Sequence, residues 1–179
     1  MVRADKNDSW IRIIHPKIQP PTLSDNTADV DRLLKGIKKA LQTEEVTIDF
    51  SLVKRVPYIL REYGYDVLSV LYGWRDSWDL VDLFPSHMKD TIYGLSVDLG
   101  TSTVVVRLLD LINKETKDES SFQNPQIEIG PDILTRIHTA SQEGGLERLQ
   151  NLIIDRLNEE IEHLSERNCI DKDSLLGCL

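Results

Sequence analysis

Cysteine is scarce in this sequence, and the two cysteines lie at one end. Cys169 and Cys178 both fall within the last eleven of the 179 residues. Because no Cys-x-x-Cys pair is present, the spacing excludes a disulfide scaffold, a zinc finger and an iron–sulfur cluster held by this chain. The simplest expectation from this usage is a reducing, cytoplasmic setting.

Long apolar runs are missing as well. No stretch approaches the roughly 18 consecutive apolar residues of a transmembrane helix, and residues 1–8 lack the apolar core of a signal peptide. We therefore expect no membrane partner. With 40% hydrophobic residues, the chain still has enough apolar material for one or two domains of ordinary size.

An excess of positive charge is the third absence. The formal net charge is −9, of which residues 1–92 carry −1 and residues 93–179 carry −8. Binding to a nucleic-acid backbone needs clustered lysine and arginine, so no nucleic-acid partner is expected. The change in charge also predicts a domain boundary near residue 92.

Apolar spacing predicts the secondary structure. In the first half we expect a strand at 10–14, a proline-rich linker at 15–21, helices at 27–42 and 51–63, a strand at 65–72 and an irregular stretch at 74–90. Ser24, Asp25 or Asn26 is expected to cap the first helix, and Pro57 to kink or restart the second. In the second half we expect strands at 93–99 and 103–111, a charged turn at 113–120, a strand or extended segment at 121–129, and two amphipathic helices separated by Gly144 and Gly145.

The best chemical signal lies where the strand at 93–99 ends. Asp98 is followed by Gly100, Thr101, Ser102 and Thr103. The glycine lets the backbone approach a ligand closely, and the N–H groups of 100–103 with three hydroxyls can form a concave donor surface for phosphate oxygens. Asp98 can hold Mg²⁺ through water, because Mg²⁺ keeps several of its waters. A plain hairpin turn capped by Asp98 explains these residues equally well.

The neighbours of this turn carry a family resemblance. Four segments occur in the order typical of the reductive activators of corrinoid-dependent enzymes, which belong to the acetate and sugar kinase/Hsp70/actin superfamily. They resemble the patterns Pro-Ser-Leu-x-Asp-Asn…Asp-x-x-Arg-Leu, Gly-x-Ala-x-Asp-x-Gly-Thr-Thr-Thr, Asn-Pro-Gln and Gly-x-Asp-x-x-x-Arg-Ile. Here they lie at 20–33, 94–103, 124–126 and 130–137. Ser102 replaces the middle threonine and keeps its hydroxyl.

The resemblance implies an α/β architecture. A strand and proline-rich linker at 1–25 would lead into a small α+β middle domain at 26–92. Residues 93–179 would be the N-terminal part of a ribonuclease-H-like (actin-type) ATP-binding domain, incomplete in this chain. Asp98 would organise Mg²⁺, and residues 100–103 would hold the phosphates of ATP. Asp132 would face the nucleotide, unless it pairs with Arg136 four residues later.

The resemblance also implies a function. Members of this family use ATP, and electrons from an iron–sulfur cluster, to return Co(II) corrinoid to Co(I) in methyl-transfer proteins. The expected cofactors are ATP and Mg²⁺, and the expected partner is a corrinoid protein or corrinoid-dependent methyltransferase. Because the cluster's ligands are absent, we expect this chain alone to be inactive, as part of a larger activator. The apolar surface of an incomplete domain also allows a homodimer.

Two alternatives belong to other classes. The chain can be a non-catalytic module that docks a corrinoid protein, or a fragment of a sugar- or acetate-type kinase. The match upstream of the turn argues against the kinase, because such enzymes begin close to their first phosphate motif.

The remaining polar residues suggest no further chemistry. The four histidines have no metal spacing, and Asn124-Pro125-Gln126 is a rigid turn or a ligand contact. A solvated helix face is expected for Glu159, Glu160, Glu162 and Glu166.

Overall fold

A computed structural model describes residues 10–74, 77–88, 92–171 and 174–176, so Cys178 lies outside the described residues. The chain divides into two compact units, Met1–Asp90 and Thr91–Leu179. Each unit has its own sheet and helices, which makes the architecture mixed α/β. In the ranges described, no helix has both the length and the apolar character needed to cross a bilayer.

The first unit is a four-stranded sheet with two helices. Its elements are β1 (Ile11–Ile14), α1 (Asp29–Leu41), β2 (Val46–Ile48), α2 (Phe50–Glu62), β3 (Val67–Trp74) and β4 (Ser77–Pro85), followed by a 3-10 turn at Ser86–Met88. The strand order is β1-β3-β4-β2, with β2 parallel to β4 and the other pairs antiparallel. Both helices and the sheet contribute to one buried cluster: Leu33, Ile37, Leu52, Val56, Leu60, Val67, Leu71, Leu80 and Leu83.

The segment before α1 is fixed by one arginine. Arg32 is 7% exposed and pairs with the Asp25 carboxylate at 2.6 Å. It also donates to the carbonyl oxygens of Asp25 at 2.8 Å and Thr27 at 3.0 Å. Asp25 therefore organises the loop rather than capping the helix. The residue at the N-cap is Ala28, which makes no side-chain capping bond, so the expected cap was wrong.

The stretch at 74–90, expected to be irregular, is largely a strand. β4 pairs with β3 over most of its length, and β2 extends the sheet beyond it. Trp78 on β4 lies over Gly73, where a Cβ would come within 2.8 Å of the indole ring, so the ring occupies the space that a side chain at position 73 would need. Pro57 lies inside the single continuous helix α2 and does not restart it.

The second unit is an antiparallel meander followed by helices. Its elements are β5 (Tyr93–Leu99), β6 (Thr103–Asp110), β7 (Glu115–Gln123), a 3-10 turn (Pro125–Glu128), α3 (Ile133–Ala140) and α4 (Gly145–Arg167). The strand order is β5-β6-β7. Residues from β6, β7 and α4 form the core, namely Val104, Val106, Phe122, Ile153 and Leu164. The third strand begins at 115, within the expected charged turn, because Thr116 to Gln123 continue the ladder with β6.

Two expectations about helix faces are corrected by the structure. Glu160 is buried rather than solvated, since it accepts a hydrogen bond from Ser120 and pairs with Arg156 at 2.7 Å. On α3, the apolar residues Ile133, Leu134 and Ile137 are all more than half exposed. The spacing of these apolar residues correctly predicted a helix. The face that carries them, however, is not packed against the core of this unit.

Candidate functional site

Five of the six residues predicted to bind a ligand, Asp98 and residues 100–103, lie at or beside the turn between β5 and β6. Asp98 lies near the end of β5, and Thr103 opens β6. The side chains of Asp98, Thr101, Ser102 and Thr103 are exposed, and Gly100 is half-buried. These residues, adjacent in sequence, present a carboxylate and three hydroxyls at one end of the sheet.

The close turn requires glycine at position 100. The Gly100 N–H donates to the carbonyl oxygen of Thr103 at 3.1 Å. A Cβ on Gly100 would lie 2.5 Å from that same oxygen, so any side chain would open the turn. Its N–H is therefore used within the hairpin and is unavailable to a ligand. The expectation that all four N–H groups of 100–103 face a ligand is wrong at this position.

Asn124 holds the turn between β5 and β6 in place through hydrogen bonds to two of its carbonyls. Its side chain is buried, with the residue 2% exposed, and its Nδ2 donates to the Gly100 carbonyl at 2.8 Å. Its backbone N–H donates to the Ser102 carbonyl at 2.9 Å. Its Oδ1 accepts from the Gln126 N–H at 2.9 Å, which caps the 3-10 turn. Of the two interpretations of Asn124-Pro125-Gln126, the structure supports the rigid turn. Asn124 also holds residues 100–102 in place through its bonds to the Gly100 and Ser102 carbonyls.

Arg136 holds the remaining carbonyl of the turn. Its Nη2 donates to the Thr101 carbonyl at 2.7 Å, and its Nε donates to the Gly130 carbonyl at 2.8 Å. Its Nη1 lies 3.4 Å from Oε1 of Gln126. The residue is 5% exposed. Three successive carbonyls, those of Gly100, Thr101 and Ser102, thus accept bonds from two buried residues.

This pattern determines where the N–H groups point. The described peptide bonds are all trans, and in a trans peptide the carbonyl and the following N–H point in opposite directions. Because the carbonyls of 100–102 face Asn124 and Arg136, the N–H groups of Thr101, Ser102 and Thr103 face away from them. Within the described residues, the N–H groups of Thr101 and Ser102 have no acceptor. Successive free N–H groups of this kind can bind an anion's oxygens.

Asp98 suits a metal that keeps its water. The described residues contain no group of three or more His, Cys, Asp or Glu placed to hold a metal. A single exposed carboxylate is compatible with Mg²⁺, which is commonly held by one or two carboxylates, waters and phosphate oxygens.

Asp132 has a local structural role. It is the N-cap of α3, accepting from the Thr135 N–H at 2.9 Å and the Thr135 hydroxyl at 2.7 Å. These two bonds hold the pKa of the Asp132 carboxyl below its ordinary value. The pair considered with Arg136 does not form among the described residues, because the guanidinium of Arg136 is bound to carbonyl oxygens.

Sequence reasoning did not identify Arg136 and Asn124 as the supports of the turn. Both residues occur in the segments that carried the resemblance, at 124–126 and 130–137. Their types were visible, but their partners lie 24 and 35 residues away along the chain.

Comparison with known proteins identifies both units. Residues 4–90 match the RACo linker region, and residues 93–178 match the RACo middle region. The chain comprises the RACo linker and middle regions. The middle region therefore falls on the second unit, where the beginning of an ATP-binding domain was expected. The segment expected to be the middle domain, residues 26–92, lies within the linker region up to residue 90.

Two similar proteins are much longer than this chain. The "Corrinoid activation enzyme RamQ" of Eubacterium limosum is 30% identical over 147 residues, covering 81% of this chain and 24% of the relative. The solved structure of a "Reductive activator for corrinoid,iron-sulfur protein" is similar in fold, with a TM-score of 0.76, 24% identity, and coverage of 98% of this chain and 28% of that one. The chain thus spans about a quarter of the length of each.

Proposed function

We propose that this chain acts in the ATP-dependent reductive activation of a corrinoid protein, as the linker and middle regions of a larger iron–sulfur activator. The observation that carries the proposal is the tandem match to both RACo regions, at 4–90 and 93–178. The names of the two relatives, a corrinoid activation enzyme and a reductive activator for a corrinoid iron–sulfur protein, support the same activity.

The reaction reduces Co(II) corrinoid to Co(I) by one electron. The electron would come from a low-potential donor outside the part of the chain that the structure describes. The contribution of this chain would be to bind the corrinoid protein and to hold ATP at the turn between β5 and β6. The free N–H groups of Thr101 and Ser102, with the three exposed hydroxyls, would contact phosphate oxygens. Asp98 would hold Mg²⁺ through water, and the metal would reduce the charge of the phosphates.

The order of elements in the second unit supports an actin-type origin for this site. An antiparallel meander of three strands precedes two helices, and the turn between its first two strands carries the glycine and hydroxyl residues. This is the order expected for the opening part of a ribonuclease-H-like domain. A kinase fragment is not favoured, since the linker match covers residues upstream of the turn.

A reconstitution experiment tests the proposal. The chain is mixed with a corrinoid iron–sulfur protein in the Co(II) form, with excess of a low-potential one-electron reductant, with or without Mg·ATP. We expect a complex between the two proteins, measured by calorimetry, and the absorption spectrum of the corrinoid reports any Co(I). Formation of Co(I) only with ATP would assign the ATP-driven step to these two regions.

The other outcomes separate the alternatives. A complex formed by a chain that shows no binding of Mg·ATP in calorimetry would favour the non-catalytic docking module. The absence of any complex with the corrinoid protein would overturn the proposal. Serum albumin in place of the corrinoid protein is the control for nonspecific association.

A further inference from the structure

We propose that Arg136 is the positioning residue that gives the turn between β5 and β6 its affinity for anions. It holds the Thr101 carbonyl inward, and it places a buried positive charge directly behind the turn. This inference rests on the proposed function, because it concerns the same phosphate site.

The charge of Arg136 is buried without a counter-ion. The residue is 5% exposed, and its three oxygen partners are the carbonyls of Gly130 and Thr101 and the side-chain amide of Gln126. Among the described residues it forms no ion pair, whereas Arg156, Arg107 and Arg167 of the same unit each pair with a carboxylate. Burial of a cation paired only with neutral groups is costly. A carboxylate partner would offset part of that cost and would also cancel the field at the turn.

The hydrogen bond from Arg136 to the Thr101 carbonyl polarises the peptide group whose N–H would contact the anion. A cation bound to the Thr101 oxygen attracts electron density toward that oxygen, which strengthens the opposite end of the same peptide as a donor. That opposite end is the N–H of Ser102, which has no acceptor among the described residues. The guanidinium therefore acts through one peptide group and does not itself contact the anion.

The net charge of the unit makes this local cation necessary. Residues 93–179 carry a formal charge of −8, which repels a polyphosphate. Asp98 is exposed at the edge of the same turn and adds to the repulsion when no metal is bound. A positive charge in a poorly solvated position is screened less than one on a surface lysine, so a single buried arginine can offset part of this background.

A titration of the whole chain with inorganic pyrophosphate tests the inference. Amide chemical shifts of Thr101 and Ser102 are followed by NMR without added metal. In the wild-type chain we expect these two amides to shift with pyrophosphate. Arg136→Gln should weaken binding at least tenfold, and Arg148→Gln, which removes an exposed arginine of α4 in the same unit, should change it less than twofold.

Arg136→Lys is a second variant, which tests the inference even if Arg136→Gln does not fold. Lysine keeps the charge and can still donate to the Thr101 carbonyl, but it can lose its proton where a buried arginine does not. The affinity of Arg136→Lys for pyrophosphate relative to wild type, measured by calorimetry, should therefore fall as the pH rises from 7 to 10. Use of the ratio cancels the titration of pyrophosphate itself.

The titration distinguishes an error in the phosphate site from an error in the role of Arg136. If the wild-type chain shows no shifts at Thr101 and Ser102, the phosphate site of the proposed function is wrong. If the wild-type chain binds pyrophosphate and a folded Arg136→Gln binds it equally well, the phosphate site stands and the role of Arg136 is wrong. A ratio for Arg136→Lys that stays constant with pH would likewise overturn the role of the charge.

Discussion

The side-chain amide of Asn124 donates to the carbonyl oxygen of Gly100 at 2.8 Å, and this bond ties the end of β7 to the turn between β5 and β6. Asn124 is almost fully buried, so its loss leaves the carbonyl of Gly100 and the N–H of Gln126 without their partners. We expect Asn124→Ala to destabilise the second unit by about 1–3 kcal/mol, the usual effect of leaving buried polar groups unsatisfied.

Amide hydrogen exchange in β6 measures this change. Tryptophan fluorescence would not report it, because Trp10, Trp74 and Trp78 all belong to the first unit. Asn158→Ala, at an exposed position of α4, is the matched control and should leave exchange nearly unchanged. Equal protection of β6 in both variants would contradict the proposed anchoring role of Asn124.

Gly100→Ala should open the turn that Ser102→Ala leaves intact. A Cβ at position 100 meets a backbone oxygen at 2.5 Å, and that oxygen cannot move without breaking the hairpin. Ser102 is exposed, and its hydroxyl has no partner among the described residues. Thermal unfolding followed by NMR of β5 and β6 amides should show a lower midpoint for Gly100→Ala only. Equal midpoints for the two variants would mean that the turn accommodates a side chain.

Acid should weaken the segment that precedes α1. Hydrogen bonds from Arg32 and Thr27 hold the pKa of Asp25 well below its ordinary value of 3.8. A carboxyl with a depressed pKa in the folded state stabilises it above the ordinary value, and the effect is lost as the pH falls below that value. Tryptophan fluorescence during urea unfolding should therefore show stability falling below about pH 4.

Asp25→Asn separates this effect from general acid sensitivity. The variant should be less stable than wild type at pH 7 and should lose less stability between pH 4 and pH 2. Asp31→Asn is the control, because Asp31 is exposed and forms no ion pair among the described residues. Parallel pH curves for wild type and Asp25→Asn would rule out the assigned role.

Asp132 provides a test between capping and ligand binding. Asp132→Ala should lower the melting temperature of α3, since both carboxylate oxygens bind Thr135, whereas Asp132→Ser keeps a capping oxygen and should restore most of it. If the carboxylate also faces a nucleotide, as the resemblance implies, Asp132→Ser should reduce the affinity for Mg·ATP in calorimetry. Unchanged affinity with a restored melting temperature would leave capping as its function.

The apolar residues of α3 should contribute little to stability. Leu134 is 73% exposed, so Leu134→Gln should change the free energy of unfolding by less than about 0.5 kcal/mol. Leu164→Ala, in the core of the same unit, should cost about 2–5 kcal/mol. Hydrogen exchange measures the free-energy change of both variants.

The homodimer expected from the sequence stays a prediction. Sedimentation equilibrium of Leu134→Gln against wild type tests it.

The periodicity of apolar residues predicted most of the helices and several of the strands. The alternation at 93–99 and the β-branched run after Thr103 predicted β5 and β6 with boundaries close to those observed. Helical spacing did the same for α1, α2 and α4. By contrast, β4 was not predicted, because its register depends on β3 and β2 rather than on its own alternation.

The candidate site divides in the same way. The sequence by itself determined the turn, because Gly100 and the three hydroxyl residues lie next to one another and a tight hairpin needs that glycine. Only the tertiary structure decided which way the turn's peptide groups face. That orientation depends on Asn124 and Arg136, which reach it from 24 and 35 residues along the chain. Buried carbonyl groups must find donors, and the fold determines which donors are within reach.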